Sequence, residues 1–273
     1  MTVNFSRMGR SKSVHFAPLT WETTSAAISL AENEVHIWRT SLVKTFQEKT
    51  RLQTFLAADE IVRARSFLSQ EQQERWIVAR GTLRFLLGAY LGICPSRLSF
   101  LYNQYGKPTI GGEERAAGLH FNLSHSADCA FYAFTYSRRL GLDVERLRSN
   151  FAGLRLARKK FALGEYEALQ ALPPREQARA FFTCWTRKEA YIKARGEGIA
   201  YGLKSFEVSL KPSEPAALLV NRQNALECER WSMHDLVAGP DYVGALVVER
   251  SAQALTYCSH EFAHLAAFCD TTD

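Results

Sequence analysis

Residues 181–198 read FFTCWTRKEAYIKARGEG, and the fold is organised around this stretch. With Trp185 at the centre of a helical projection, four apolar side chains fall on one face: Ala178, Phe181, Phe182 and Ile192. This spacing is typical of a helix whose apolar face is buried. Gly196 and Gly198 are suited to end such a helix. We therefore predict a helix over 176–194 that packs the second half of the chain together.

Glu189 lies inside that apolar face, where a charge is unexpected. Burying a carboxylate costs several kcal/mol unless a cation or hydrogen-bond donors meet it. We therefore expect something positive to face Glu189. Lys193 follows it by four residues, in the favourable order for a helical ion pair. Taken alone, the two residues favour an ordinary amphipathic helix whose charged pair spans its edge.

Composition places the chain among globular proteins. Hydrophobic residues make up 47% and charged residues 23% of its 273 residues, close to the average for folded domains. No apolar run approaches the roughly 20 residues of a membrane span. The start, MTVNFSRMGRSKS, has basic residues but no apolar core behind them, unlike a secretory signal. We expect no membrane insertion and interpret residues 1–33 as a polar N-terminal extension.

Six cysteines are scattered without a CxxC pair or a regular spacing, at Cys94, Cys129, Cys184, Cys228, Cys258 and Cys269. Several lie inside apolar runs. This pattern is typical of buried thiols in a reducing compartment rather than of a disulfide or zinc framework. We therefore expect a cytoplasmic protein.

Lysine and arginine exceed aspartate and glutamate by 34 to 28, which gives a net charge of +6. The excess predicts an anionic partner. A basic nucleic-acid-binding protein without catalysis is one alternative, supported by the arginines within residues 63–84. It leaves Asp143, Glu145 and Glu189 unexplained, because acidic groups weaken phosphate binding unless a metal intervenes. We therefore favour a chain with no nucleic-acid partner.

Hydrophobic periodicity divides the chain into two halves, 34–139 and 140–273, which meet at a polar stretch. For the first half it predicts strands over 34–42, 98–102, 119–123 and 129–135 and helices over 55–68 and 70–91. For the second half it predicts helices over 154–169 and 176–194 and strands over 205–210, 217–220, 227–233 and 242–248. Each half is therefore expected to be α+β.

Two smaller expectations concern polar residues of the first half. Residues 124–126 are expected to form an exposed turn between two strands. Arg75, Arg80 and Arg84 lie outside the centre of the apolar stripe of the helix over 70–91, so a solvated basic face is their ordinary interpretation.

The second half begins with LGLDVE at residues 140–145. In a strand, residues two apart share a face, so Asp143 and Glu145 project together. Carboxylates side by side repel and are depleted from strands, so the pair is expected to bind a cation. All-oxygen ligation suits Mg²⁺ better than Zn²⁺. Taken alone, the two acids could also lie at a strand end and meet water or Arg146.

These residues resemble a known family. GLDVE at 141–145 and WTRKEAYIK at 185–193 resemble the two characteristic motifs of the 4′-phosphopantetheinyl transferases, (V/I/L)GxDxE and W(S/T/C)xKExxxK. YGKP at 105–108 and FNLSHS at 121–126 are similar to upstream motifs of that family. Four motifs in the right order make a specific match. The resemblance spans about residues 34–250 and implies two pseudo-symmetric α+β halves of the Sfp type, with the active site at their interface.

The resemblance implies a reaction and a metal site. The 4′-phosphopantetheine group of coenzyme A would move to a serine of an apo acyl or peptidyl carrier protein, releasing adenosine 3′,5′-bisphosphate. Asp143, Glu145 and Glu189 match the Mg²⁺ ligands of the family. Glu189 also matches its general base, and Lys193 the lysine that stabilises charge on the phosphates. Since one chain already holds two halves, we expect a monomer.

The resemblance also implies a binding site for coenzyme A. The residues that match it are Arg63, Arg75, Lys107, Pro108, Asn122, Ser124, His125, Asp143 and Lys193. Fixed cations are expected around the phosphates of this ligand. Glu60 stands where Sfp-type enzymes can carry a lysine, so this chain departs from the pattern there.

Residues 260–264 read HEFAH and satisfy the zinc-protease pattern HExxH. On a helix, this pattern would place both histidines on one face. Only nine residues follow His264, which leaves little room for a further ligand downstream. We interpret the match as a coincidence on a C-terminal helix.

Overall fold

The structure is a computed structural model, and it describes residues 22–23, 28–148, 153–212 and 214–262. Within these residues there are seven α-helices: α1 (Phe46–Gln53), α2 (Ala58–Arg65), α3 (Gln70–Leu91), α4 (Gly153–Lys160), α5 (Leu163–Gln170), α6 (Pro174–Arg195) and α7 (Glu227–Arg230). None of the described helices has the length and apolar character needed to cross a membrane.

The same residues form twelve strands. Strand β1 (Glu22–Thr23) precedes the first half, whose strands are β2 (Glu34–Ser41), β3 (Phe100–Tyr102), β4 (Pro108–Ile110), β5 (Leu119–Ser126) and β6 (Cys129–Tyr136). Those of the second half are β7 (Leu140–Arg146), β8 (Phe206–Val208), β9 (Leu218–Asn221), β10 (Trp231–Leu236), β11 (Tyr242–Glu249) and β12 (Thr256–Glu261). The mixture of helices and strands confirms the predicted α+β class.

The strands form two main sheets. A five-stranded sheet has the order β1-β12-β2-β6-β5, and a three-stranded antiparallel sheet has the order β10-β11-β7. Strand β12 comes from the end of the described chain but pairs in parallel with β2 of the first half. The C-terminal strand therefore completes the sheet of the N-terminal half. β3 with β4 and β8 with β9 form two small hairpins.

Alternating residues of the strands build the layers of the molecule. On β2, Trp38 packs against α3, whereas Val35 and Ile37 face the three-stranded sheet. On β7, Leu142 and Val144 face the five-stranded sheet. Helix α6 packs on the other side of the three-stranded sheet and buries the aromatic side of its apolar face there. The four layers are therefore helix, sheet, sheet and helix, with α3 and α6 outermost.

Several predicted elements are confirmed with small shifts, and five are wrong. The segment 55–68 is helical only as α2, and α1 before it was missed although Thr45 and Glu48 form a capping box. Residues 124–126 continue β5 instead of forming a turn, which lies at Ala127 and Asp128. Ala127 has a positive φ of 50°.

The other corrections lie in the second half. The single helix predicted over 154–169 is two helices, because the backbone N–H of Ala162 is capped by Glu165 and starts α5 afresh. The strand predicted over 227–233 begins as the short helix α7. His260 and Glu261 lie in β12 rather than on a helix, so the HExxH interpretation loses its helical geometry. Ala263 and His264 lie outside the described residues.

Candidate active site

Helix α6 carries the central motif and is anchored by two buried cations. Arg187 donates to Asp235 and to the carbonyl oxygen of Ser209. Lys188 is fully buried and lies 2.8 Å from the Glu165 carboxylate. These two residues therefore hold the helix in the protein core, and the next residue, Glu189, is left to face the neighbouring strand β7.

Strand β7 lies directly against α6 because it has a glycine at the contact. A Cβ atom on Gly141 would overlap the backbone of Ala190 and Ala194. The glycine of the GLDVE motif is thus required for close packing. The alternation of the strand then turns Asp143 and Glu145 toward the helix, the face opposite to Leu142 and Val144.

The edge strands of the two sheets are joined through side chains. Asn122 Oδ1 accepts from the backbone N–H of Leu142 at 2.9 Å, and Ser126 Oγ accepts from that of Arg146 at 3.1 Å. Between them, Ser124 Oγ accepts from the N–H of Val144 at 3.4 Å. Every second residue of the FNLSHS motif is therefore polar because it bonds to β7. This pairing fixes the height of Asp143 relative to β5.

Asp143 is the most constrained carboxylate of the site. Its Oδ1 accepts from Ser124 Oγ at 2.8 Å and from the Lys193 ammonium at 2.7 Å. Its second oxygen, Oδ2, is buried and has no hydrogen-bond partner among the described residues. The position of Lys193 in the helix suggested an ion pair with Glu189. In the structure, Lys193 pairs with Asp143 instead. A buried carboxylate oxygen without a donor is costly unless a cation meets it.

Glu145 and Glu189 lie near Asp143 and have perturbed acidities. Burial raises the pKa of Glu189, and the charges of Asp143 and Glu145 raise it further, whereas Lys193 opposes them. Burial also raises the pKa of Glu145, and the Asp143 charge adds to this, against a hydrogen bond from Ser126. The ligand atoms of the three carboxylates do not all lie within 4.8 Å of one another among the described residues. Asp143, Glu145 and Glu189 are here called the carboxylate cluster.

The donor chemistry of the carboxylate cluster fits a hard divalent cation. Every candidate ligand atom is a carboxylate oxygen, as Mg²⁺ prefers. The Oδ2 atom of Asp143 is buried without a hydrogen-bond donor among the described residues, and a cation would satisfy it. Asp143, Glu145 and Glu189 are therefore the residues that could hold Mg²⁺.

A cleft of about 410 Å³ opens beside Asp143 and Lys193. Six of the residues proposed from the sequence line it: Arg63, Pro108, Ser124, His125, Asp143 and Lys193. Desolvation lowers the pKa of His125, and the charges of Lys193 and Arg75 lower it further, so this imidazole is neutral at pH 7. With Arg63 and Lys193 on its walls, the cleft suits an anionic ligand.

Three other proposed residues, Arg75, Lys107 and Asn122, do not line the described cleft. The Lys107 ammonium donates to the backbone carbonyls of Lys193, Leu140 and Ala194, at 2.5, 3.1 and 3.4 Å. Arg75 forms ion pairs with Asp128 and Glu71. Asn122 joins the two sheets, as described above. Glu145 and Glu189 lie beside Asp143 but outside the lining.

The cleft also contains residues that sequence reasoning missed, among them Trp76, Arg80 and Tyr102. Arg80 was expected on a solvated face but is only 6% exposed, and Arg84 is 2% exposed. Both guanidinium groups donate to the carboxylate of Glu60, which is buried. Glu60, Arg80 and Arg84 form a group here called the buried charge cluster. The one feature of the sequence that pointed to this cluster was Glu60, which occupies a position where Sfp-type enzymes can carry a lysine.

Comparisons with known proteins identify the family. The profile of the 4′-phosphopantetheinyl transferase superfamily matches residues 139–247. The chain is 40% identical over 229 residues to the 4′-phosphopantetheinyl transferase HetI of Nostoc sp., covering 84% of this chain and 93% of that protein. It is 30% identical over 164 residues to the 4′-phosphopantetheinyl transferase Sfp of Bacillus subtilis, covering 60% of this chain and 70% of the relative.

The fold is α+β, and an acidic centre lies beside a cleft whose walls carry basic side chains. The chain belongs to the 4′-phosphopantetheinyl transferase family, as the extent of its similarity to HetI shows. The resemblance inferred from the four sequence motifs is therefore confirmed.

Proposed function

We propose that the protein transfers the 4′-phosphopantetheine group of coenzyme A to a serine of an apo acyl or peptidyl carrier protein, in a reaction that depends on Mg²⁺. Adenosine 3′,5′-bisphosphate is the second product. The observation that carries the proposal is Asp143, a buried carboxylate with one oxygen held by Lys193 and Ser124 and the other without a protein donor. Family membership supports the general reaction.

Asp143, Glu145 and Glu189 would hold Mg²⁺ in this proposal. When bound there, the ion would neutralise charge on the pyrophosphate and polarise it toward attack. The pKa values of Glu145 and Glu189 are raised because both carboxylates are partly buried beside other negative charges. A bound cation would offset those charges, which supports this assignment.

Glu189 is proposed as the general base. It would take the proton from the carrier serine hydroxyl, directly or through water, as the serine oxygen forms a bond to the β-phosphorus of coenzyme A. The bond between that phosphorus and the bridging oxygen breaks, and the bridging oxygen leaves with adenosine 3′,5′-bisphosphate. A base with a raised pKa is better matched to neutral pH than an ordinary glutamate. Lys193 would stabilise charge on the phosphates.

Coenzyme A is proposed to lie in the cleft, with its phosphates near Arg63, His125 and Lys193. Pro108 and Ser124 line the same space. Arg75, Lys107 and Asn122 remain coenzyme-binding candidates through the resemblance, whereas their contacts in the structure favour a supporting role. The proposed halves, 34–139 and 140–273, would then contribute opposite walls of one site.

The remaining parts of the proposal concern partners and surroundings. Carrier protein and coenzyme A account for the positive net charge of +6 without a nucleic acid. Charged groups at the rim would act mainly on the rate of association with an acidic carrier. A monomer in the cytoplasm is proposed, and the five described cysteines, none of which forms a disulfide there, are compatible with that compartment.

The proposal is tested by incubating the full-length protein with coenzyme A, Mg²⁺ and a panel of apo carrier proteins. Mass spectrometry should show one phosphopantetheine group added to at least one carrier, and the addition should stop with excess EDTA and return with Mg²⁺. Replacing the acceptor serine of the carrier by alanine is the matched control. No addition to any carrier, or addition that EDTA leaves unchanged, would contradict the proposal.

A further inference from the structure

A second group of metal-binding side chains lies on the five-stranded sheet, and it shares no residue with the cleft. Glu34 and His36 are on β2, and Cys258 is on the neighbouring parallel strand β12, directly opposite His36 in the register. One carboxylate oxygen, one imidazole nitrogen and the thiol sulfur all lie within 4.8 Å of one another. Residues two apart on a strand share a face, so all three side chains project toward α3.

The imidazole of His36 is held in a fixed orientation. The residue is 5% exposed, and its Nδ1 lies 2.8 Å from the hydroxyl of Tyr90 on α3. That hydroxyl also accepts from the indole N–H of Trp38 at 2.7 Å. Ligand histidines in metal sites are typically oriented in this way, by a hydrogen bond at the ring nitrogen that does not bind the metal. With Nδ1 facing Tyr90, the other ring nitrogen, Nε2, faces Glu34.

The spacing of the ligand atoms suits a tetrahedral ion. His36 Nε2 and Glu34 Oε2 are 3.3 Å apart, which is longer than the usual N–H···O range of about 2.7–3.2 Å. Two nitrogen or oxygen ligands at about 2.0 Å from a tetrahedral Zn²⁺ are separated by roughly 3.3 Å. The observed separation therefore matches two ligands of one ion at least as well as a hydrogen bond.

A backbone contact and a neighbouring ring also hold the group in place. The backbone N–H of Ala31 donates to Glu34 Oε2 at 2.9 Å. The His260 ring lies 4.8 Å from that of His36, measured between the ring centroids.

We propose that Glu34, His36 and Cys258 form a zinc site that joins the C-terminal strand β12 to β2. Mixed carboxylate, imidazole and thiolate ligation suits Zn²⁺, whereas Mg²⁺ and Ca²⁺ prefer oxygen ligands alone. The Cys258 thiol gives its proton to solvent as the sulfur binds the ion. With Nε2 bound to the ion, His36 keeps its proton on Nδ1, and this N–H donates a hydrogen bond to the Tyr90 hydroxyl oxygen. The site stabilises the sheet of the first half and lies apart from the transfer chemistry.

The test uses the full-length protein, stripped of metal and kept reduced, with Co²⁺ as a spectroscopic probe for Zn²⁺. Titration should give one equivalent of a tetrahedral Co²⁺ complex with a thiolate-to-cobalt charge-transfer band in the near ultraviolet, which Zn²⁺ displaces. Zn²⁺ should also raise the melting temperature, because a ligand of the folded state stabilises it. Cys258→Ser should abolish the band and the melting shift.

Two further variants separate the site from other thiols and from the carboxylate cluster. Cys129→Ser changes a thiol of similar burial on β6 of the same sheet and should keep the band. Glu189→Gln alters the carboxylate cluster and should keep it as well. Glu34→Gln keeps the thiol and should weaken affinity for Co²⁺ by at least about tenfold, which provides a test if Cys258→Ser fails to fold. A wild-type protein without the thiolate band, or a Cys258→Ser protein that retains it, would overturn the zinc site.

Discussion

Two of the groups of buried charge among the described residues differ in how completely they are satisfied. In the buried charge cluster, Glu60 accepts from Arg80, Arg84 and the backbone N–H of Ala57, and it is 3% exposed. In the carboxylate cluster, Lys193 and Ser124 hold only one oxygen of Asp143, and burial together with neighbouring acids raises the pKa of Glu189. The first group is saturated by the protein, and the second is not.

This difference separates a structural role from a functional one. A buried ion pair whose donors and acceptors are all matched has nothing left to offer a ligand, and removing one partner leaves a charge stranded. A carboxylate that has a buried oxygen without a hydrogen-bond donor can still bind a cation favourably. The contrast predicts that variants of the first cluster lose mainly stability, whereas variants of the second lose mainly activity.

The largest effect is expected for Glu189→Gln. Without the proposed base and metal ligand, transfer to the carrier should slow by roughly 10²–10⁴-fold. The free energy of unfolding should stay the same or rise slightly, since burial penalises this carboxylate. Rates measured by mass spectrometry, with urea unfolding of the same samples, check both parts. Glu167→Gln, an exposed position on α5, is the matched control, and a Glu189→Gln enzyme with unchanged turnover would refute the assignment.

Glu60→Gln should show the opposite pattern. Removing the charge that Arg80 and Arg84 share should lower the free energy of unfolding by about 3–5 kcal/mol. Because Arg80 lines the cleft, the KM for coenzyme A should rise, whereas kcat should change less. Asp59→Asn, an exposed neighbour on α2, controls for loss of an acid in the same turn. If Glu60→Gln instead lowered kcat and left stability unchanged, the buried charge cluster would not have the structural role that distinguishes it from the carboxylate cluster.

Much of the carboxylate cluster could be predicted from the sequence, because the positions of its residues follow from the regular geometry of one strand and one helix. Asp143 and Glu145 share a face through strand alternation, and Glu189 stands out on an apolar helix face. The four motifs then identified the family, which the comparisons confirm. Residues 124–126 were misread as a turn, because polar side chains at alternate positions look exposed until β7 is known to bond to them.

The parts that could not be predicted depend on contacts between distant segments. Glu60 and Arg84 are 24 residues apart, and neither carries a local sign of burial. Lys107 matched a coenzyme-binding motif, but its ammonium ends among backbone carbonyls of β7 and α6. The zinc ligands Glu34 and Cys258 lie on strands that pair only in the folded sheet. Periodicity carries no information about such pairings.

Lys107→Met extends the comparison to a third charge, which is half-buried. The side chain is held by the carbonyls at the end of α6, so its loss should cost about 1–3 kcal/mol of stability at pH 7. It should also lower kcat, because the backbone of Lys193 loses its support. If Lys107 instead contacts coenzyme A, KM should rise while kcat and stability stay unchanged. Steady-state kinetics with varied coenzyme A, together with urea unfolding, distinguishes the two roles.

The same variant has a pH test. Burial, with the charges of Arg139 and Lys193, lowers the pKa of Lys107 to about 8 from a model-compound value of 10.5. Between these two values the unfolded chain binds more protons than the folded one, so this group makes stability rise with pH across that window. Below pH 8 its contribution is flat. The difference in unfolding free energy between wild type and Lys107→Met should therefore grow from pH 8 to pH 10.5, and a constant difference would contradict a buried ammonium.

The smallest effect is expected for Arg75→Gln, which extends the comparison of charged groups to an ion pair near the surface. Arg75 is paired with Asp128 and Glu71 near the surface, and such pairs contribute about 0–1 kcal/mol. Stability should therefore change by less than about 1 kcal/mol, and the change should shrink in high salt. The KM for coenzyme A should rise less than in Arg63→Gln, because Arg63 lines the cleft and Arg75 does not. A larger increase in KM for Arg75→Gln than for Arg63→Gln would mean that Arg75 leaves Asp128 and contacts the phosphates when coenzyme A binds. An ion pair at the surface would then not exclude a role in coenzyme binding.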